Sequence, residues 1–252
     1  MMNWEVIKQN LIEFLQTEVK KAGKSGAVVG LSGGLDSAVV AILCKEAFGE
    51  NVHCVMLPSH YSSDSSVIDA QELCHRFDIS YEVVSVAPLI QVYEPLMDGD
   101  KLRIGNFSAR VRMAILYDIS AKHKALVVGT SNRSEILLGY GTIFGDTACA
   151  INPVGNIYKS DEFEFAKFLG VPDSILAKRP SADLWEGQAD EDELGFTYKE
   201  LDIVLKELFD KNRTKEELIK DGFSNEILEF VLNRYHSNAF KRAMPVVAQL
   251  NL

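Results

Sequence analysis

Two hydrophobic periodicities alternate along the first half of the chain. Trp4, Ile7, Leu11, Leu15 and Val19 recur at helical spacing, with Lys8, Glu13, Gln16 and Lys20 between them, which predicts an amphipathic first helix. After the turn Lys24-Ser25-Gly26, the run Ala27-Val28-Val29-Gly30-Leu31-Ser32 is short, apolar and β-branched, the pattern of a buried strand. The same reasoning predicts strands at 51–57, 79–86 and 124–128 and helices at 38–48, 64–77 and 105–123. The first half of 38–48 is apolar all round and should lie deep in the core. Strands alternating with helices predict an α/β fold with a parallel sheet covered on both faces. Ligands of such sheets bind beyond the carboxyl ends of the strands, so 32–37, 58–64 and 129–135 should open onto one crevice. Beyond about residue 153 helical patterns dominate, at 159–169, 198–209, 215–220 and 225–235. The acidic stretch 181–195 between them is expected to be a mobile loop.

Composition narrows the class. The chain has 252 residues, 47% hydrophobic and 25% charged, which suits one domain spanning 1–252. No apolar run approaches the roughly 18–20 residues of a membrane helix, and the N-terminus lacks the features of a signal peptide, so a cytoplasmic location is expected. Cys44, Cys54, Cys74 and Cys149 form no C-x-x-C pair and read as buried thiols. A net charge of −10 offers no basic field for nucleic acid or an anionic membrane. It leaves room for an anionic small molecule, which needs only a few cations and backbone N–H groups.

The chemistry concentrates in Ser32-Gly33-Gly34-Leu35-Asp36-Ser37, between the first strand and the second helix. Paired glycines let backbone approach phosphate oxygens, and the first N–H groups of the helix are unpaired and partly positive. The hydroxyls of Ser32 and Ser37 can donate hydrogen bonds. Asp36 would repel bare phosphate, so its use would be to hold Mg²⁺ there. A glycine turn with a helix cap is the plain alternative. Strand before, helix after, two glycines, two serines and one aspartate together favour phosphate. Neither a Walker A loop nor G-x-G-x-x-G is present.

Ser-Gly-Gly-Leu-Asp-Ser resembles the pyrophosphate loop of the ATP pyrophosphatases, Rossmann-like enzymes of the adenine nucleotide alpha hydrolase type. Further segments are similar to the NAD synthetase family within that group: Ala109-Arg110-Val111-Arg112-Met113, Gly129-Thr130 through Glu135, and Gly139-Tyr140-Gly141-Thr142 with Gly145-Asp146. Pro180-Ser181-Ala182-Asp183-Leu184, Gly187-Gln188-Ala189-Asp190-Glu191 and Phe240-Lys241-Arg242-Ala243-Met244-Pro245 follow in order. The resemblance covers nearly the whole chain. It implies that Gly30, Leu31, Ser32, Gly33, Gly34, Leu35, Asp36 and Ser37, with Thr130, Lys159 and Ser181, contact ATP as co-substrate. It also implies Mg²⁺ on Asp36 and Glu135, catalytic roles for Asp36, Glu135 and Lys159, and deamido-NAD at Arg110, Phe240 and Lys241. The implied reaction amidates deamido-NAD with ammonia through an adenylate, releasing AMP and pyrophosphate, in a homodimer with shared sites. Asp146 or Asp183 could take the proton from ammonium, and 181–195 is a candidate lid. Ile143, Ala150 and Phe240 depart from the Lys, Asp and His usual in the family, which leaves substrate contacts there open. About 100 residues after the sheet are too few for a glutaminase alongside the expected helices. A tRNA-thiolating relative would be expected to show a basic patch and a reactive cysteine. A nucleotide sensor would bind ATP without releasing pyrophosphate.

Overall fold

The computed structural model describes residues 2–181, 185 and 187–250. Four strands, β1 (Ala27–Gly30), β2 (Val52–Met56), β3 (Tyr81–Val83) and β4 (Leu126–Val128), form one sheet in the order β3-β2-β1-β4. Every pairing is parallel, with Val29 opposite both Cys54 and Val128. The four strands lie within the segments the hydrophobic pattern predicts. Residue period two splits them between two cores. Val29, Cys54 and Met56 face α1 (Trp4–Lys21), α2 (Leu35–Phe48), α3 (Asp64–Arg76) and α7 (Lys159–Leu169). Val28 and Val55 face α4 (Ala87–Tyr93) and α5 (Lys101–His123). With both faces covered, the central strands need no polar face, which is why β1 is apolar throughout.

Residues 38–44 of α2 are buried without a break, as an all-apolar helix requires. The sequence pattern does not show α4, a short helix opened by Pro88, and it starts α5 late. Asp100 caps α5 by accepting from the Arg103 N–H at 3.1 Å, so the helix begins at Lys101 and runs through Gly105. A third core joins α6 (Arg133–Leu138), α10 (Tyr198–Leu205), α11 (Lys215–Lys220) and α12 (Asn225–Ser237) around Leu138, Leu201, Leu205 and Leu228. It packs beside the sheet and supplies the floor under the α6–α7 side of the crevice. Of two short helices, α8 (Asp173–Leu176) precedes the stretch 181–195 and α9 (Asp190–Leu194) lies inside it, so residues 190–194 are helical where a loop was expected. Three of the cysteines are buried as expected, whereas Cys149 is half-buried under Gly129.

Candidate active site

The carboxyl ends of β1 and β4 lie side by side, so the turns leading into α2 and α6 open at one place. In the first turn, Ser32 Oγ lies 3.0 Å from Ser37 Oγ and accepts the Gly34 N–H at 3.2 Å, while Ser37 Oγ donates to the Gly34 carbonyl at 3.0 Å. The two serines lock the loop's shape. Gly33 has φ +79°, and a Cβ there would sit 2.1 Å from the Ser66 carbonyl of α3, so only glycine fits. Gly30 packs beneath Leu116 of α5 and Leu31 is buried, which anchors the start of the loop. No side chain caps the first N–H groups of α2, which leaves its positive end open to the crevice.

Asp36 and Lys159, 123 residues apart, form a buried ion pair through Oδ2 and Nζ. Asp36 Oδ1 accepts from Asn132 Nδ2 at 3.0 Å. Asn132 is fully buried and caps α6. Its Oδ1 accepts the Glu135 N–H at 3.0 Å, and Glu135 Oε2 accepts the Asn132 N–H at 3.3 Å. That reciprocal cap aims Glu135 Oε1 to within 3.8 Å of Lys159 Nζ. Lys159 stands at the first position of α7. Its N–H donates to Ser134 Oγ at 3.0 Å, the Ser160 N–H donates to Asp202 Oδ2 at 2.8 Å, and Ser134 donates to Asp202 Oδ1. Buried Asp202 therefore ties α6, α7 and α10 together and fixes where Lys159 enters the crevice.

One residue here was not among the expected site residues. Glu162, one turn along α7 from Lys159, is fully buried, and neither carboxyl oxygen has a hydrogen-bond partner of acceptable geometry. It lies against Asp36, whose charge and side chain it meets directly, and it acts on Lys159 and Glu135 through charge, so three carboxyls surround one ammonium. Burial would raise Asp36, but the Lys159 charge and the hydrogen bonds outweigh it and hold the carboxyl at about 2. Burial and the Asp36 charge push Glu135 well above the usual carboxylate range, with Lys159 only partly opposing. The same two causes raise Glu162. Burial would lower Lys159, yet Asp36, Glu135 and Glu162 keep it charged. Carboxyls held protonated in this way would give up their protons to a cation brought in with a phosphate ligand. Among the described residues no three His, Cys, Asp or Glu side chains form a metal cage. Mg²⁺ does not need one, because one or two carboxylates with substrate phosphates and water complete its shell. The pair Asp36 and Glu135 fits that pattern.

Thr130 lies two residues past the last β1–β4 pair, at the same edge as Leu31. Ser181 follows Pro180, whose carbonyl accepts the Asp190 N–H at 2.9 Å and closes the neck of the acidic stretch. Of the acids there, Asp190 is withdrawn from solvent while Asp192 and Glu193 remain exposed. Asp190 is buried and accepts from Tyr140 at 3.1 Å and Tyr198 at 3.3 Å, and Asp192 pairs with Arg179 at 2.7 Å. Asp183 lies outside the described residues. The expected acceptor-side residues gather at a different segment, 139–146. Lys241 Nζ donates to the Gly139 and Gly141 carbonyls at 2.9 and 2.8 Å, and Arg110 donates to the Ile143 carbonyl at 3.2 Å. Asp146 Oδ1 accepts the Thr142 N–H at 2.8 Å. Phe240 is 60% exposed.

The family described as NAD synthase matches residues 7–245 of this chain. The chain belongs to the NAD synthase family. An NH(3)-dependent NAD(+) synthetase of Wolinella succinogenes is 51% identical over 98% of this chain and 97% of its own length. Two solved structures align over nearly their full length. An NMN synthetase from Francisella tularensis has a TM-score of 0.88 at 33% identity, covering 99% of this chain and all of that one. An NH3-dependent NAD synthetase from Campylobacter jejuni has a TM-score of 0.83 at 36% identity, covering 98% of this chain and all of that one. These NAD synthase relatives share the parallel sheet and its flanking helices. Among the described residues no helix is long and apolar enough to cross a membrane.

Proposed function

We propose that this chain makes NAD⁺ from deamido-NAD, ATP and ammonia, with AMP and pyrophosphate as the other products. The observation that carries the reading is the buried pair of Asp36 and Lys159 beside Glu135, directly behind an uncapped helix start and a glycine loop. Residues 30–37, Thr130, Lys159 and Ser181 hold ATP. Asp36 and Glu135 hold Mg²⁺, which when bound neutralises charge on the phosphates. The nicotinate carboxylate attacks the α-phosphorus, the bond to the bridging oxygen breaks, and pyrophosphate leaves. Ammonia then attacks the carbonyl carbon of the adenylate, AMP departs with the bonding pair, and one proton is lost to solvent or a nearby carboxylate. Lys159 stabilises the charge that gathers on the phosphates, and the loop N–H groups orient them. Arg110, Phe240 and Lys241 receive the acceptor.

The exposed apolar side chains of Leu89, Val92, Leu96 and Leu102 around α4 and α5 support a homodimer built on that face, with the acceptor site completed across it. We also place the enzyme in the cytoplasm. A second acceptor, nicotinate mononucleotide, is suggested by the departures at Ile143, Ala150 and Phe240, together with the similarity to an NMN synthetase. Incubation with ATP, Mg²⁺, ammonium and each acceptor in turn tests both. Equal amounts of NAD⁺, AMP and pyrophosphate from deamido-NAD support the main reading, and faster turnover of the mononucleotide would replace it with the second.

A further inference from the structure

The Gly33–Gly34 peptide is the part of the phosphate loop least able to hold itself. Gly33 has φ +79° and Gly34 has none of the steric restriction of a Cβ, so the peptide plane between them can rotate at little cost. Rotation would replace an N–H with a carbonyl oxygen on the phosphate side, where it would repel the ligand. In this chain both ends of that peptide unit are held. Its N–H donates to Ser32 Oγ at 3.2 Å, and its carbonyl accepts from Lys178 Nζ at 3.1 Å.

Lys178 comes from a distant part of the chain, two residues past α8 and three before Ser181. Its ammonium also pairs with Asp69 Oδ2 at 2.6 Å, and Asp69 is only 13% exposed. Asp69 lies one turn along α3 from Ser66, the residue against which Gly33 is packed. The pair is therefore fixed to the same helix turn that supports the loop. A short bond to a half-buried carboxylate holds the ammonium where it meets the carbonyl. Surface lysines paired by chance do not bridge three separated segments in this way.

We propose that Lys178, oriented by Asp69, is a positioning residue that keeps the Gly33–Gly34 peptide from turning its oxygen toward the phosphates, so that the loop is set for the pyrophosphate half of ATP before it binds. The inference rests on reading 30–37 as the ATP loop. It places Lys178 on the outer side of the loop, with the loop backbone between it and the ligand. The loss of Lys178 should then be felt by the pyrophosphate portion of the nucleotide and not by the adenosine portion.

Isothermal titration of the full chain with Mg²⁺-pyrophosphate, Mg²⁺-ATP and AMP tests this, beside steady-state kinetics and thermal melting. For Lys178→Met we expect affinity for pyrophosphate and ATP to fall about tenfold, AMP affinity and the KM for deamido-NAD to stay within twofold, and the melting temperature to hold. Lys178→Arg should recover most of the loss, because a guanidinium can still reach the carbonyl. Asp69→Asn should weaken pyrophosphate binding in the same direction by a smaller factor. If Asp69→Asn tightens pyrophosphate binding, Lys178 is a phosphate ligand restrained by Asp69 and the proposal is overturned. Equal losses for AMP and pyrophosphate, or no loss for either, overturn it too. Wild-type protein that binds neither ATP nor pyrophosphate would instead remove the ATP reading of the loop itself.

Discussion

The ATP side and the acceptor side of the crevice are built differently. On the ATP side, Asp36, Asn132, Glu135 and Lys159 are held by caps and ion pairs within one chain, and a buried aspartate, Asp202, fixes the helices beneath them. On the acceptor side, Arg110 and Phe240 are exposed, Lys241 is spent on two backbone carbonyls, and apolar side chains stand in solvent nearby. The first has its charges fixed before any ligand arrives, as an electrostatic site for phosphate would need under the proposed reading. The second has its polar groups on its own backbone and an open flank, which is where the proposed second copy of the chain would act.

Substitutions should separate the two sides. The largest effects belong to the ATP side. Asp36→Ala should reduce turnover by about 10²–10³-fold with deamido-NAD binding unchanged, read by steady-state kinetics and acceptor titration. Lys159→Met should do the same and in addition lower stability by about 3–5 kcal/mol, because it removes the one ammonium among three buried carboxyls. Urea unfolding measures that loss. Next, Lys241→Ala or Arg110→Ala should raise the acceptor KM by about tenfold, the weight of one charged contact, and leave the KM for ATP unaltered. A common tenfold rise in both constants would erase the distinction between the sides.

Smaller effects test the balance of charge. Glu162 and Glu135 have raised proton affinities in the fold, so above pH 4.5 the folded chain retains protons that the unfolded chain has lost. Stability without Mg²⁺ should accordingly fall as pH rises beyond 4.5. Glu162→Gln should flatten that slope, because it removes a group whose proton affinity burial and the Asp36 charge raise. Asp36 behaves oppositely. Its pairing stabilises the fold above pH 3.8 and is lost as pH drops through about 2. The smallest effect is remote from the site. His53 stacks on His123 with ring centroids 3.7 Å apart, and burial followed by the His123 charge lowers its proton affinity. The neutral form is the folded one, so a slight loss of stability should set in as pH falls below 6.5, visible as a shift in the urea midpoint and absent in His53→Gln.

The parallel sheet, its alternation with α2, α3 and α5, and the glycine turn between β1 and α2 were legible because each depends on local pattern: β-branched runs, paired glycines, an apolar helix. Asp36 stood out from the loop pattern itself, whereas Glu135 and Lys159 entered only through resemblance, since Lys159 and Asp36 are far apart in sequence and nothing near Lys159 marks it as buried. Asn132 carried a local signal, Asn-x-x-Glu at the start of a helix, which predicts its reciprocal cap but not its bond to Asp36. Glu162 sits in Lys159-Ser160-Asp161-Glu162-Phe163-Glu164, where an acidic run suggests a solvated face, and the tertiary packing of α7 on its neighbours, α2 and α10 among them, buries it. Asp190 misled in the same way, because its partner Tyr140 comes from a segment the local pattern does not connect, whereas Asp192 and Glu193 are solvent-exposed as an acidic run suggests.

The central claim is that the ATP side activates the acceptor carboxylate before ammonia takes part. It is tested most directly by exchange of labelled pyrophosphate into ATP with ammonia left out. The account predicts exchange that requires Mg²⁺ and the acceptor and disappears in Asp36→Ala. Exchange that appears only when ammonia is present would contradict it.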